Sequence, residues 1–315
     1  MQDQYRELHD LMDTAPEVAL ALREGRSVVA LESTVIAHGL PRPLNLEVAA
    51  AIEARVREHG AVPATIAILD GKIKVGLSEA ELERVGTSQD ISKASIRDLP
   101  VLLARRADGA TTVSATAHLA ALAGIKVFAT GGIGGVHRGW ERTLDISADL
   151  PALATTPVVT VCAGAKSVLD LPATLEWLET HGVPVLGFRT DRFPAFYSQT
   201  AEPPLHVDAR VDTAQEVAAI FRARQRLGLR GGVLVCVPVP AGAALSADEV
   251  ETAIRTALEE AVDRGITGRA ITPFLLGALA RLTQGRSLAA NRALLENNAA
   301  VAADISRAIS PPRYV

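Results

Sequence analysis

The feature that most constrains the fold is a series of short, mostly apolar runs, each long enough for a single strand. Apolar runs of this length are typical of strands buried on both faces, as in a parallel sheet covered by helices. Segments with helical spacing of apolar residues lie between them. The sequence therefore predicts a layered α/β/α protein with a central, mostly parallel sheet and extra C-terminal helices. The strand-like runs span residues 27–31, 63–69, 125–129, 158–162, 183–187 and 232–237.

Local signals predict several boundaries around this sheet. Asp70-Gly71 is a tight-turn dipeptide that should join one strand to a hairpin partner over residues 72–75. Ser78 and Glu81 have the spacing of a capping box at a helix start. No low-complexity linker interrupts residues 1–315, which we expect to form a single domain. Apolar spacing predicts helices over residues 4–24, 45–59, 109–123, 213–227, 246–260, 273–282 and 287–309.

Composition argues against two classes of partner. A net charge of -4 and a pI near 6.0 leave no electrostatic footprint for nucleic acid. No apolar run is long enough to span a membrane, and the polar N-terminus is unlike a signal sequence, so we expect a cytoplasmic protein. The two cysteines, Cys162 and Cys236, lie in strand-like runs without a CxxC motif, which predicts buried free thiols.

One lysine is conspicuous because this chain uses arginine for most of its positive charge. Only five of the 32 basic residues are lysines, and Lys166 follows an apolar run and the small residues Ala163-Gly164-Ala165. A lysine amine becomes a nucleophile when a dry pocket removes its proton, which does not happen to a guanidinium. The alternative is an ordinary lysine that caps a helix or reaches solvent.

A carboxylate occupies a comparable position after the first predicted strand. Glu32 follows residues 27–31 at the C-terminal end of the run, the edge of a parallel sheet where ligands bind. Because a buried carboxylate needs a partner, Glu32 is either an acid/base group or the anchor of a salt bridge. Farther along, Lys93 and Arg97 either face an anionic substrate or form ion pairs, as Arg97 could with Asp98.

A glycine-rich loop follows the predicted strand at residues 125–129. It covers residues 130–139, and its glycines indicate a close approach between its backbone and another group. Its spacing matches neither a Walker motif nor a dinucleotide-binding fingerprint. His137 and Arg138 are either functional polar groups of this loop or solvent-exposed residues. Backbone donors at the start of the predicted helix over residues 109–123 would suit a phosphate.

Asp145, Ser147 and Asp149 alternate with apolar residues, which would place their oxygen atoms on one side of an extended segment. Such oxygens suit magnesium or manganese. The alternative is structural, with Ser147 as the N-cap of a helix and Asp149 in its first turn.

Aromatic residues concentrate in an irregular segment at residues 188–198. The segment holds three of the six phenylalanines and a tyrosine. It is either a small satellite core or a lid over a pocket. The four residues are Phe188, Phe193, Phe196 and Tyr197.

Several of these stretches together resemble the pseudouridine-5'-phosphate glycosidases, a family that includes indigoidine-synthase-A-like proteins and related C-glycosynthases. The similarity runs in unbroken order from about residue 18 to residue 305. It rests on residues 30–41, Lys93 with residues 97–100, residues 110–113, 128–138, 145–150, 160–170, 193–198 and 272–276, and Ser287-Leu288 with Asn291.

The resemblance implies reversible cleavage of the C–C bond that joins C1' of ribose 5-phosphate to a base, with pseudouridine 5'-phosphate and water giving uracil and ribose 5-phosphate. By position, Glu32 matches the acid/base group at the sugar ring oxygen, and Lys166 matches the nucleophile that forms an imine with the opened C1'. Asp145 matches the ligand of one manganese ion, in a site where other divalent metals are possible. The family also implies a homotrimer. The matches to substrate-binding residues are Lys93, Val113, Ser147 and Asp149 for substrate and phosphate, and Thr130, His137 and Asn291 for the base or sugar.

Two departures from the family leave the identity of the base open. Relatives read Asn-Pro-x-Pro where this chain has Val237-Pro238-Val239-Pro240, and Ser-Gly where it has Gln199-Thr200-Ala201-Glu202. The alternative function is a C-glycosynthase that joins ribose 5-phosphate to a non-uracil aromatic aglycone in natural-product biosynthesis. A non-catalytic sugar-phosphate-binding protein is the third interpretation, and the presence of Glu32, Asp145 and Lys166 argues against it.

Overall fold

The computed structural model describes residues 10–266 and 271–310, in which eleven strands form one sheet. The strand order is β1-β4-β3-β2-β7-β8-β11-β9-β10, with β6 paired to β3 and β5 paired to β6. The strands are β1 (Met12–Thr14), β2 (Val28–Leu31), β3 (Val62–Leu69), β4 (Lys72–Val75), β5 (Ser92–Ala94), β6 (Gly109–Thr111), β7 (Val127–Ala129), β8 (Val159–Cys162), β9 (Val185–Phe188), β10 (Ala209–Val211) and β11 (Val233–Cys236).

The sheet is mostly parallel, as the sequence predicts. From β3 through β2, β7, β8, β11 and β9 to β10, each neighbouring pair is parallel. Antiparallel pairing occurs between β3 and its neighbours β4 and β6. The β3–β4 hairpin turns at Asp70 and Gly71, whose φ angles of 51° and 70° are those that a tight hairpin turn requires.

Helices cover both faces of this sheet, which is why every residue of β2, β3, β8 and β11 is buried. On one face the C-terminal helix α12 (Arg286–Ile309) packs on β2, β7 and β8, and against helices α2 (Leu44–Glu58) and α9 (Ala214–Arg226). On the other face helix α5 (Val113–Leu122) packs on β2, β3 and β7, and against helix α7 (Asp149–Thr155). The helices are α1 (Pro16–Arg23), α2 (Leu44–Glu58), α3 (Glu79–Thr87), α4 (Leu99–Arg105), α5 (Val113–Leu122), α6 (Trp140–Thr143), α7 (Asp149–Thr155), α8 (Leu171–Thr180), α9 (Ala214–Arg226), α10 (Ala247–Asp263), α11 (Ile271–Leu282) and α12 (Arg286–Ile309).

Two of the predicted helices differ from the structure near their starts. The prediction of a leading helix over residues 4–24 is confirmed at residues 10–11 and in α1, but is wrong at Met12–Thr14, which form β1 and pair in parallel with β4. Residues 4–9 of that prediction lie outside the described part of the chain. The predicted helix over residues 109–123 begins at Val113, because Gly109–Thr111 form β6 between β3 and β5.

Other local predictions are confirmed. Ser78 and Glu81 form the expected capping box at the start of α3. The two C-terminal helices are present as α11 and α12. Cys162 and Cys236 are buried free thiols that face each other across β8 and β11. Within residues 10–266 and 271–310, no helix combines the length and the apolar content needed to cross a membrane.

Candidate active site

Three neighbouring strands deliver the central residues of the site at one edge of the sheet. Glu32 follows β2, Thr130 follows β7, and the segment that leads to Lys166 follows β8. These strands lie side by side in the order β2-β7-β8 and all run in parallel. Their C-terminal ends therefore meet, and the sequence prediction of a site at this edge agrees with the geometry.

The glycine-rich loop and the lysine segment continue the pairing of β7 and β8 beyond the ends of these strands. The amide of Ala163 donates to the Gly131 oxygen at 2.8 Å, and the amide of Ile133 donates to the Gly164 oxygen at 3.1 Å. The amide of Lys166 in turn donates to the Ile133 oxygen at 3.0 Å. This ladder holds the backbone of Lys166 in place, while the half-buried side chain is left for the site.

Two glycines of this ladder allow a close approach by the aromatic segment at residues 188–198. A Cβ atom on Gly132 would lie 2.5 Å from the Phe196 ring, and one on Gly164 would lie 2.1 Å from the Pro194 oxygen. Gly164 also has a φ of 84°, which side-chain-bearing residues rarely adopt. The predicted close approach of the glycine loop is thus confirmed, and the partner is protein.

The aromatic segment itself belongs to the main hydrophobic core. Phe188, Phe193, Phe196 and Tyr197 are all buried in the same cluster as the sheet residues. The amide of Phe196 donates to the Ala163 oxygen at 3.0 Å, just before the lysine segment. The two predicted alternatives for this segment, a small satellite core and a lid over a pocket, are both wrong. The segment is part of the main core and packs against the loops that carry the site.

Glu32 is a buried carboxylate with a hydroxyl partner. It is 9% exposed and accepts a hydrogen bond from the Thr130 hydroxyl. Burial raises the pKa of Glu32 above its ordinary value of 4.5, although the charge of Lys166 and the bond from Thr130 oppose the rise. The described residues show no salt bridge to Glu32 within 4.0 Å, so the predicted alternative of a salt-bridge anchor is not supported. A raised pKa makes a carboxyl a better proton acceptor when it is ionised and lets it keep its proton to a higher pH, which suits an acid/base group.

Thr130 accepts a hydrogen bond from Asn298, a residue for which the sequence predicts no role in the site. Asn298 on α12 is buried and donates from Nδ2 to the main-chain oxygen of Thr130 at 2.8 Å. Thr130 was expected at the base or sugar, but in the structure its hydroxyl is bonded to Glu32. Asn291, one of the predicted base-side or sugar-side residues, lies two turns earlier on the same helix and beside Gly131.

Lys93 and His137 are two further ionisable residues near Lys166. Lys93 is an exposed residue, but the protein atoms around its ammonium group lower its pKa, and the charge of Lys166 adds to this effect. Burial also lowers the pKa of His137; the charge of Asp145 opposes the change, whereas the charges of Lys166 and Lys93 add to it. The mutual influence of these groups indicates that the structure brings Lys93, His137 and Lys166 together. Arg97 instead pairs with Asp98 at 3.6 Å, as its structural alternative predicts.

Asp149 organises the start of a helix and the glycine loop. Its buried carboxylate accepts from the amide of Ser114 at 2.9 Å and from the amide of Gly134 at 2.8 Å. Val113 is the first residue of that helix, α5, and is itself buried. Part of the donor capacity that was predicted for a phosphate is therefore used by Asp149.

Ser147 lies close to the same loop. A Cβ atom on Gly134 would lie 2.3 Å from its hydroxyl oxygen, so only glycine fits there. The hydroxyl accepts the amide of Asp149 at 3.2 Å, but the N-cap of α7 is Ala148. The prediction of Ser147 as N-cap is wrong by one residue, whereas Asp149 does lie in the first turn.

Asp145 differs from Asp149 in its exposure and its contacts. Its side chain is 45% exposed, and its Oδ2 lies 3.9 Å from Nδ1 of His137. In the described ranges no three His, Cys, Asp or Glu residues are grouped so that they could hold a metal ion, and both Asp149 oxygens are already bonded. The donors at Asp145 fit a divalent ion that has one carboxylate ligand and keeps most of its water.

Arg138 connects the glycine loop, the lysine segment and α10. Its guanidinium forms a two-pronged pair with Glu251, with distances of 2.7 and 2.8 Å. It also donates to the main-chain oxygens of Ser167 and Leu169, each at 3.4 Å. The alternative of a solvent-exposed loop arginine is wrong, because Arg138 holds the backbone on the far side of Lys166.

Comparison with known proteins agrees with this geometry. Residues 17–308 match the protein family described as indigoidine synthase A like protein. A pseudouridine-5'-phosphate glycosidase of Caldanaerobacter subterraneus subsp. tengcongensis is 58% identical over 299 residues, which cover 95% of this chain and 97% of that protein. A protein of the same name from Geobacillus kaustophilus is 54% identical, over 96% of this chain and 100% of its own length.

Two solved structures are similar along almost the whole chain. The prealnumycin C-glycosynthase AlnA in complex with ribulose 5-phosphate has a TM-score of 0.88 at 44% identity, over 95% of this chain and 97% of that chain. An indigoidine synthase A (IdgA)-like protein from Thermotoga maritima has a TM-score of 0.85 at 38% identity, over 94% and 95%. The layered α/β fold is thus shared with proteins of known structure.

Proposed function

Because this chain belongs to the family of indigoidine synthase A like proteins, we propose that it cleaves pseudouridine 5'-phosphate to uracil and ribose 5-phosphate through a lysine imine. The observation that carries the proposal is that buried Glu32 and half-buried Lys166 follow β2 and β8, the two strands that flank β7, at the same edge of the sheet. Relatives named pseudouridine-5'-phosphate glycosidase, at 58% and 54% identity, support the same substrate.

The two residues divide the chemistry between an amine and an acid. The Lys166 amine forms a bond to C1' as the bond between C1' and the ring oxygen breaks, and Glu32 gives its proton to that oxygen. The charged nitrogen then gives up one proton, which restores its lone pair, and one proton is delivered to the base carbon. The electrons of the C–C bond move to that carbon as the nitrogen lone pair completes an imine at C1'. Water hydrolyses the imine to release ribose 5-phosphate and the free amine. Overall, one C–C bond is broken and one water is consumed.

The residues around this pair suit a sugar phosphate. Lys93 supplies positive charge for the phosphate, and Val113 would contribute its main-chain N–H, since the first N–H groups of a helix have no partner within the helix. Asp149 and Ser147 shape the loop that faces the sugar. His137 and Asn291 are left to contact the base or the sugar.

A manganese ion at Asp145 is part of the proposal. When bound, such an ion would supply positive charge beside the substrate, and Asp145 is exposed enough to leave room for its water ligands. We expect Asp145→Asn to weaken Mn²⁺ binding measured by electron paramagnetic resonance, and Glu141→Gln in the preceding helix α6 to leave it unchanged. Equal binding by Asp145→Asn and the unsubstituted protein would remove Asp145 from the metal site.

The proposal extends to assembly and location. A homotrimer is expected from the family resemblance, and light scattering coupled to size-exclusion chromatography measures it directly. A phosphorylated nucleoside substrate agrees with a cytoplasmic enzyme, because phosphate esters do not cross membranes unaided.

A second candidate function is the reverse chemistry on another acceptor. The similarity to the C-glycosynthase AlnA, at 44% identity, favours it, as do the departures at residues 199–202 and 237–240. The deciding assay measures uracil release from pseudouridine 5'-phosphate with added Mn²⁺, beside ribose 5-phosphate consumption on aromatic acceptors. We expect uracil release, and glycosylation of an acceptor without any uracil release would establish the second candidate instead.

A further inference from the structure

Glu53 is a half-buried carboxylate that lies outside the site described above. It projects from α2 and accepts a hydrogen bond of 2.5 Å from the hydroxyl of Thr65, in the middle of the fully buried strand β3. Burial raises the pKa of Glu53, while the bond from Thr65 and the charge of Arg57 oppose the rise and Glu17 adds to it. Glu53 therefore keeps a proton to a higher pH than an ordinary glutamate does.

A small cavity separates Thr65 from Glu32. Its volume is about 20 Å³, which is enough for one water molecule. Glu32, Thr65 and Thr130 are among the residues that line it, and their side-chain oxygens are the kind of hydrogen-bonding partner that such a water needs. The remaining wall is apolar and is formed by Leu31, Val35, Ile36, Ala49, Ile52, Ala129 and Leu295.

We propose that a water in this cavity completes a proton relay from Glu32 through Thr65 to Glu53. The inference rests on the proposed function, because Glu32 changes its protonation only if it works as an acid and a base. The Glu32 carboxyl gives its proton to the water, and the water gives one of its own to the Thr65 oxygen. Thr65 passes its hydroxyl proton to Glu53, so that every atom regains its bonds and the negative charge moves from Glu53 to Glu32.

The relay solves a problem created by the position of Glu32. That carboxylate is 9% exposed, and a bound sugar phosphate would cover its remaining opening. Protons must still enter and leave during each turnover, and the path through Thr65 approaches from behind, between β3 and α2. Neither Thr65 nor Glu53 touches the substrate on this path, so both act through Glu32.

A purely structural role is the competing explanation, since a buried hydroxyl needs an acceptor and Glu53 supplies one. Glu53→Gln separates the two roles, because the amide oxygen still accepts from Thr65 but does not take up a proton. Thr65→Ser keeps the hydroxyl, and Thr65→Val replaces it with a methyl group of similar size. The structural role predicts full activity for Glu53→Gln, whereas the relay predicts a loss.

The measurement is uracil release as a function of pH, in H₂O and D₂O. We expect Glu53→Gln and Thr65→Val to lower kcat about tenfold, less than the 10²–10⁴ of a direct acid/base group, with unchanged KM. The solvent isotope effect on kcat should increase in both, and Thr65→Ser should behave like the unsubstituted enzyme. The charges that face Glu32 (Lys166, Lys93, Asp149) and Glu53 (Arg57, Glu17) are the same in all variants.

Unchanged kcat, pH profile and isotope effect in Glu53→Gln and Thr65→Val would overturn the relay. Equal losses in Thr65→Ser and Thr65→Val would do the same, since they would point to packing. If the unsubstituted protein releases no uracil, the proposed function fails, and the same comparison is then made on the rate of borohydride-trapped imine formation with ribose 5-phosphate. Slower imine formation in Glu53→Gln and Thr65→Val, but not in Thr65→Ser, would still support the relay. Equal rates of imine formation in these variants and the unsubstituted protein would reject it.

Discussion

Asn298 donates a hydrogen bond of 2.8 Å to the main-chain oxygen of Thr130, whose hydroxyl in turn donates to the carboxylate of Glu32. The C-terminal helix α12 therefore reaches the candidate acid through one intervening residue. Asn298 is 1% exposed and also lies 3.4 Å from the Gly131 oxygen. Helix and glycine loop are thereby joined at the position where the loop leaves β7.

Replacing this amide should weaken both stability and activity. Asn298→Ala leaves the buried Thr130 oxygen without its donor, which we expect to cost about 1–3 kcal/mol in the free energy of unfolding. Uracil release should fall as well, since Thr130 positions Glu32. The matched control is Asn297→Ala, because the neighbouring amide makes only a 3.5 Å contact to the Pro238 oxygen. Denaturant unfolding that shows equal losses for the two variants would contradict the account.

Arg138 should matter for the placement of Lys166. Without the guanidinium, the Ser167 and Leu169 oxygens lose their donor and the lysine segment is freed from α10. We expect Arg138→Ala to slow imine formation about tenfold, a loss of roughly 1.4 kcal/mol in transition-state stabilisation. The control is Arg286→Ala, which removes an exposed ion pair between Arg286 on α12 and Glu249 on α10 and should leave the rate of imine formation unchanged. Similar rates for the two variants would show that the Arg138 contacts are incidental.

Space, more than backbone conformation, should limit substitution at Gly164. A left-handed φ costs an alanine roughly 1–2 kcal/mol, and Gly182→Ala measures this cost alone, since φ is 65° and no atom lies within 4 Å of the added Cβ. Gly164→Ala adds a clash 2.1 Å from the Pro194 oxygen, which should raise the loss by about 1–3 kcal/mol. Thermal and denaturant unfolding compare the two variants. Equal losses would mean that the aromatic segment is free to move away.

The raised pKa of Glu32 has a defined effect on stability. Between the ordinary value of 4.5 and the raised value, the folded protein binds more protons than the unfolded chain. The stabilisation that this extra proton binding gives to the folded protein is therefore fully present below pH 4.5 and is lost as the pH rises through the raised pKa of Glu32. Glu32→Gln should thus be more stable than the unsubstituted protein at neutral pH, and the difference should vanish below pH 4.5.

Glu81 provides a control of opposite sign. Burial opposes ionisation there, but the hydrogen bonds from Lys74 and Ser78 outweigh it and lower the pKa. Its contribution is present at neutral pH and is lost as the pH falls through the lowered pKa. Glu81→Gln should therefore be less stable at neutral pH, with a difference that shrinks in acid. Stability curves of Glu32→Gln and Glu81→Gln with the same slope would contradict these assignments.

Sequence patterns located the strands that carry chemistry because those strands are buried on both faces. The runs before Glu32 and Lys166 are mostly apolar and fully buried, and their C-terminal ends lie at the same edge of a parallel sheet, so the two residues could be placed together in advance. The sequence does not predict strands β1, β5, β6 and β10. Each has three residues, too few for a period of two to be recognised, and pairing with a neighbouring strand decides its conformation.

Contacts between distant segments also escaped the sequence interpretation. Asn298 is one of several amides on α12, and nothing local distinguishes the one that reaches Thr130, 168 residues earlier. Glu53 has the ordinary appearance of a polar helix position, and its link to Thr65 depends on how α2 lies on β3. Glycine density indicated that the loop after β7 approaches something closely, but did not show that its partner includes Phe196.

The most direct test of the central claim is the identification of the residue that forms the imine. The protein is incubated with ribose 5-phosphate, reduced with borohydride, digested, and mapped by mass spectrometry, beside Lys166→Ala and Lys93→Ala. We predict one adduct, on the peptide that contains Lys166, present in Lys93→Ala and absent in Lys166→Ala. An adduct that persists in Lys166→Ala, or that lies on Lys93, would contradict the assignment of Lys166 as the nucleophile.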